Sequence, residues 1–198
     1  MTTTTTPRQL ILELFNHKMI KFGDFVLKSG KRSYIYVDVR TAITYPHIFH
    51  SICCCYAQLI KDIRFDFICG VPYSALTFAS ALAYAHKLPM VLKRKEMKEY
   101  GTKKLIEGDY QPGQNCLVLE DIITTGASIM DTVKALEEHQ LKITDICALI
   151  ERNQGGLEDL QSKGYRVHYI MNLHQIIEVL FVDGLISLQD KQKAIELL

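Results

Sequence analysis

From about residue 67 onward, short continuous apolar runs alternate with segments whose apolar positions recur every three or four residues. The runs 67–70, 90–93, 116–119, 143–150 and 166–170 predict strands, and 75–86, 128–139 and 157–163 predict the helices among them. Strands that are apolar along their whole length are buried on both faces, which calls for a parallel sheet covered by helices on both sides. The earlier part of the chain has another rhythm. Pro7 opens a helix with Leu10, Ile11, Leu14 and Phe15 on one face. The stretch FGDFVLKSGKRSYIYVDVR reads as two short strands joined by a turn at Ser29-Gly30. Pro46 opens a second helix carrying Ile48, Phe49, Ile52, Cys53, Tyr56, Leu59, Ile60 and Ile63 at helical spacing. Residues 1–6 are expected to be a disordered tail. The C-terminal ISLQDKQKAIELL reads as a helix, either a terminus or the start of a tether. No repeat or linker interrupts the pattern, so residues 1–198 are expected to form one α/β domain with an N-terminal extension.

Composition narrows this little. The 198 residues carry a formal net charge of +1, which gives no overall attraction to nucleic acid or membrane. Of the six cysteines, Cys53, Cys54 and Cys55 are consecutive, and Cys69, Cys116 and Cys147 stand singly in apolar runs. That is no disulfide or zinc framework, and reduced thiols in a reducing compartment are expected. The start lacks the basic and apolar regions of a signal peptide, and no apolar run approaches the ~20 residues that span a bilayer. A cytoplasmic protein is expected.

Ligands of such sheets bind where strands end and helices begin. One such junction reads LVLEDIITTGAS: an apolar run, Glu120 and Asp121, two apolar residues, then Thr124, Thr125, Gly126, Ala127 and Ser128. Backbone N–H groups and hydroxyls at this turn can converge on an anion, and Gly126 allows close approach. The spacing fits neither a Walker A loop nor a GxGxxG turn. Glu120 and Asp121 would repel a phosphate but can accept hydrogen bonds from a sugar diol on the same ligand. A ribose 5-phosphate fits both halves. The plain alternative is an acidic strand end beside a helix N-terminus. A second loop, KRKEMKEYGTKK, concentrates Lys93, Arg94, Lys95, Lys98, Lys103 and Lys104 against Glu96 and Glu99. A solvated loop or a nucleic-acid patch would look similar, yet a cationic flap also suits a departing pyrophosphate. Arg152, in the loop ERNQGG, has the planar fork that grips a carboxylate. His47 and His50 share a helix face without a third ligand; His17, His86, His139, His168 and His174 are scattered. No metal site on the protein is expected.

The EDIITTGAS segment resembles the phosphoribosyl pyrophosphate (PRPP) motif of type I phosphoribosyltransferases. RKEMKEYGTKKLIEG, FVLKSGKRSYIYVD, FDFICGVPYSAL and ERNQGG are together similar to orotate phosphoribosyltransferases, in the form fused to the decarboxylase in UMP synthase. The resemblance runs from about Phe22 to Gly156. It implies the type I fold, a central parallel sheet flanked by helices with a small N-terminal hood. It also implies magnesium-dependent transfer of ribosyl 5-phosphate from PRPP to N1 of orotate, in UMP biosynthesis.

By the same resemblance, PRPP is bound by Tyr73, Ser74, Arg94, Lys95, Lys98, Tyr100, Glu120, Asp121, Ile122, Ile123, Thr124, Thr125, Gly126, Ala127 and Ser128. Orotate is bound by Lys28, Tyr36, Val37, Thr124 and Arg152, while Lys95, Lys98 and Asp121 act nearest the reacting atoms. Ser74 and Tyr100 stand where short bacterial enzymes carry lysine and histidine. Mg²⁺ would be held mainly by PRPP's own oxygens and water. A homodimer with shared active sites is implied, without nucleic-acid or membrane partners. A phosphoribosyltransferase for another base, or a PRPP-binding regulator without catalysis, are the alternatives; Lys28 and Arg152 speak against the first and the full basic loop against the second.

Overall fold

The computed structural model describes residues 5–27, 30–96 and 105–198. Helix α1 (Pro7–Asn16) begins at a proline, whose missing N–H would be unpaired in a first turn anyway. Thr6 caps it: its hydroxyl accepts from the Gln9 N–H at 3.3 Å, and the Gln9 side chain accepts from the Thr6 N–H at 2.9 Å. Thr6 thus belongs to the helix and not to the expected tail, because this reciprocal cap satisfies two donors. Strands β1 (Ile20–Val26) and β2 (Arg32–Val37) pair antiparallel, Ile20 opposite Val37, with an irregularity between Phe22 and Phe25. Asp38 caps a 3₁₀ turn over Val39–Thr44, and α2 (Pro46–Ile60) follows.

The remaining elements are β3 (Phe67–Gly70), α3 (Ser74–His86), β4 (Leu92–Lys93), β5 (Ile106–Glu107), β6 (Cys116–Ile123), α4 (Ala127–Glu138), β7 (Asp145–Glu151), α5 (Gly156–Ser162), β8 (Arg166–Asn172), α6 (Leu173–Val182) and α7 (Leu188–Glu196). The core sheet has the order β3-β6-β7-β8 and is parallel throughout, with Phe67 beside Cys116, Val118 beside Ile146 and Ile146 beside Val167. One face packs against α1, α2 and α6 through Leu10, Ile52, Tyr56 and Ile176; the other packs against α4 and α5 through Ile129, Val133 and Leu160. This is the α/β architecture the alternating pattern predicts. All six cysteines are free. No helix among the described residues is long and apolar enough to cross a membrane.

Two strands differ from expectation. Within 90–93, Met90 makes only a bridge to Ile68, and the chain then leaves the sheet so that Leu92–Lys93 pairs antiparallel with Ile106–Glu107. Lys93 and Arg94 head toward solvent, and the Arg94 N–H donates to the Leu105 carbonyl at 2.9 Å. The basic loop is therefore closed at its base. Strand β6 runs to Ile123 and does not stop at Leu119, because its pairing with β7 continues through Glu120–Ala148 and Ile122–Ile150. The two acids lie inside the strand. Helix α6 carries no counterpart in the sequence reading.

Candidate active site

The carboxyl ends of β3, β6 and β7 and the hairpin β1–β2 surround the assigned residues. After β6, Gly126 takes φ 77° and is the N-terminal boundary of α4, with no side chain capping that end. The first helical bond there runs from the Met130 N–H to the Gly126 carbonyl, so the amides of 127–129 lack a helical partner and are available to an anion. The next loop braces this one. The Arg152 N–H donates to the Ile123 carbonyl and the Gly156 N–H to the Thr124 carbonyl, both at 3.0 Å.

A cleft of about 670 Å³ opens over this junction, lined by Tyr36, Arg40, Thr124, Thr125, Ala127, Ser128, Arg152 and Gln154, with Val26 and Leu27 on the hairpin side. It unites residues assigned to two different ligand parts: Tyr36, Thr124 and Arg152 for the base, Thr125, Ala127 and Ser128 for the phosphate. Val37 is buried beneath and pairs with Ile20. A second cleft of about 290 Å³, lined by Pro72, Tyr73, Lys93, Arg94, Lys95 and Glu96 among others, gathers the residues assigned to pyrophosphate. There the Lys95 ammonium lies 5.3 Å from the centre of the Tyr73 ring, and Arg94 pairs with Glu107 at 3.4 Å. Ser74 is the first residue of α3 and lines neither cleft. Lys28, Lys98 and Tyr100, with Lys103 and Lys104, lie outside the described residues.

The two acids are not a matched pair. Neighbouring strand residues point to opposite faces. Glu120 is 5% exposed, and its carboxylate accepts from the Asp121 N–H at 2.9 Å and the Ser128 hydroxyl at 2.8 Å. Burial, then the neighbouring Asp121, push the Glu120 carboxyl well above its ordinary range. Tyr56 donates its hydroxyl to the Glu120 carbonyl at 2.5 Å, fixing the strand at this point. Asp121 is only half-buried, and one of its oxygens accepts from the Ile122 N–H at 2.8 Å. Ile122 and Ile123 pack into the core; they can offer a ligand backbone only. Of the sugar acceptors expected, Asp121 is the accessible one, and Ser128's single proton is committed to Glu120.

Arg152 is 5% exposed. Its Nη2 donates to the Ser33 hydroxyl at 3.3 Å and the Ile35 carbonyl at 3.0 Å, both from β2. Its Nε has no hydrogen-bond partner among the described residues. Burial lowers its pKa, with Tyr36 opposing. Among the described residues this buried guanidinium has no carboxylate partner, and it forms part of the wall of an open cleft, where a carboxylate could pair with it.

Arg40 and Gln154 also line this cleft, and the sequence reading assigned neither. Arg40 is gripped by Asp38 at 2.7 and 2.6 Å, which holds the Asp38 carboxyl below its usual range. The acid–X–arginine spacing of DVR was the available signal.

An open helix N-terminus, a half-buried carboxylate near the carboxyl end of β6 and a separate basic cleft thus lie at the carboxyl side of the parallel sheet, the arrangement expected of a phosphoribosyltransferase. The model of the phosphoribosyl transferase domain matches residues 46–170. The chain is 41% identical over 173 residues to bovine uridine 5'-monophosphate synthase, covering 86% of this chain and 36% of the relative. It is 37% identical over 172 residues to the orotate phosphoribosyltransferase of Chlamydia caviae, covering 86% of this chain and 84% of the relative. The structure of Leishmania donovani UMP synthase superposes with a TM-score of 0.86 at 31% identity, over 96% of this chain and 41% of that one. The chain belongs to the orotate phosphoribosyltransferase family, and it spans little more than a third of the bovine relative's length.

Proposed function

We propose that this chain transfers ribosyl 5-phosphate from PRPP to N1 of orotate, releasing pyrophosphate and forming orotidine 5-monophosphate for UMP biosynthesis. The observation that carries the reading is Arg152: a buried cation lacking a carboxylate partner among the described residues, on the wall of the cleft that also receives the open end of α4. Family membership supplies the reaction class, and this pairing supplies the acceptor, an anionic base next to a phosphate.

In this reading the amides of 127–129 and the hydroxyls of Thr124 and Thr125 hold the 5-phosphate. Asp121 accepts from the ribose hydroxyls and stabilises positive charge on the ring as the bond from C1 to pyrophosphate breaks. The electron pair leaves with pyrophosphate, toward the cleft of Tyr73, Arg94 and Lys95, and Lys98 joins them from the basic loop. Arg152 and Lys28 orient orotate through its carboxylate so that N1 faces C1; as N1 bonds to C1 it gives up its proton, which the departing pyrophosphate or water accepts. Magnesium suits this donor set, because Asp121 offers hard carboxylate oxygen and no cluster of three or more His, Cys, Asp or Glu competes among the described residues. Held mainly by PRPP's oxygens and water, it would neutralise charge on the pyrophosphate.

We further infer a homodimer with shared sites, in which the basic loop reaches the partner's cleft. Tyr73, on the pyrophosphate cleft, is 65% exposed, and Tyr84, toward the far end of α3, is 90% exposed; large exposed aromatics of this kind suit a subunit contact. A monomeric mass in sedimentation equilibrium with PRPP present would contradict it. The free thiols fit a cytoplasmic setting. Pyrophosphate release from PRPP and Mg²⁺ tests the activity: it should require orotate, and release that ignores orotate would contradict the reading.

A further inference from the structure

We propose that Arg40 is a second guanidinium of the base-binding cleft, donating to an acceptor oxygen of the base and setting its specificity jointly with Arg152. The inference rests on the reading above for the identity of the base. Arg40 lines the same cleft as Arg152 and Thr124, yet it comes from a different element, the 3₁₀ turn after β2. It is held in one orientation. Its Nε donates to Asp38 Oδ1 at 2.7 Å and its Nη2 to Asp38 Oδ2 at 2.6 Å, Nη2 also reaches the Tyr36 hydroxyl at 3.4 Å, and its own backbone N–H donates to Asp38 Oδ1 at 3.1 Å.

Among the described residues, that pattern uses one edge of the fork and leaves Nη1 for a ligand. Tyr36, whose hydroxyl accepts from Arg40, lines the cleft beside it. Tyr36, Arg40 and Arg152 thus line one cleft together with Thr124. An arginine merely decorating the surface would not need three separate hydrogen bonds to fix it. Asp38 and Tyr36 are its positioning residues, and Phe25 holds Tyr36 in turn, ring centres 5.3 Å apart. The basic residues of the pyrophosphate cleft are a separate group, so Arg40 serves the base and not the leaving group.

The test compares steady-state constants of wild type, Arg40→Gln and Arg40→Lys with orotate and PRPP varied in turn. Arg40→Gln should raise the orotate KM about tenfold or more while the PRPP KM moves less than about twofold. Arg40→Lys should recover only part of that loss, because an ammonium keeps the charge without the fork. Asp38→Asn, which loosens the arginine, should shift orotate KM in the same direction by less. An unchanged orotate KM in Arg40→Gln, or equal rises for both substrates, overturns the proposal. A wild-type protein that leaves orotate untouched overturns the underlying reading instead.

Discussion

A Cβ placed on Gly156 would lie 2.3 Å from the carbonyl oxygen of Thr124, the same oxygen that accepts the Gly156 N–H at 3.0 Å. The Arg152 loop and the turn after β6 are thereby one hydrogen-bonded body with no room between its halves. Any side chain at this position must move backbone. Gly156→Ala should push 124–126 out of place and raise the PRPP KM at least tenfold, since backbone cannot yield as a flexible side chain can. Circular dichroism and thermal unfolding keep this distinct from global loss of fold. A variant with wild-type PRPP affinity would show that the two loops bind independently.

The buried Glu120 makes a prediction of opposite sign to most acids. Burial, and then Asp121, raise its folded-state pKa above the unfolded value, so the folded chain holds a proton that the unfolded chain releases. Its contribution to stability is full below the unfolded value of about 4.5 and declines as pH rises toward the folded one. Glu120→Gln removes this titration, so its stability relative to wild type should improve progressively above about pH 4.5. Urea unfolding across pH 4 to 8 measures it. A wild-type–variant difference independent of pH would mean that Glu120 is charged in the fold.

Much of this arrangement is readable in the sequence, and what is not has specific causes. The strands at 67–70 and 166–170 and the helix from Pro46 appear close to where apolar periodicity puts them, because burial on two faces or on one leaves different spacings. Strand β6 defeats that signal: pairing with β7 carries it past Glu120 and Asp121, and backbone pairing leaves no mark on side-chain polarity. Met90 through Lys93 are apolar enough for a core strand, but the antiparallel partner at Ile106 draws them away. In the site, the phosphate turn was visible as residue types in order. The role of Ser128 as a donor to Glu120 depends on side-chain directions that one sequence does not encode locally, whereas the pairing of Asp38 with Arg40 has a local trace in the spacing of DVR.

Arg152 should separate the substrates. Arg152→Ala removes the guanidinium from the base cleft and leaves the open end of α4 intact. Orotate KM should rise by the equivalent of roughly 1.5–3 kcal/mol, the range for a hydrogen bond to a charged group. PRPP KM should change little. Ser33 and Ile35 also lose a donor, so unfolding should be followed in parallel. Equal loss of both substrates would assign Arg152 a scaffolding role.

The most direct measurement is turnover of a panel of bases with PRPP and Mg²⁺, following base absorbance and identifying the nucleotide by mass. With Arg152 buried at the cleft wall and lacking a carboxylate partner among the described residues, orotate should be consumed and orotidine 5-monophosphate formed, while uracil, hypoxanthine and adenine remain. Consumption of an uncharged base in preference to orotate, or of none of the four by a protein that binds PRPP, would contradict the account.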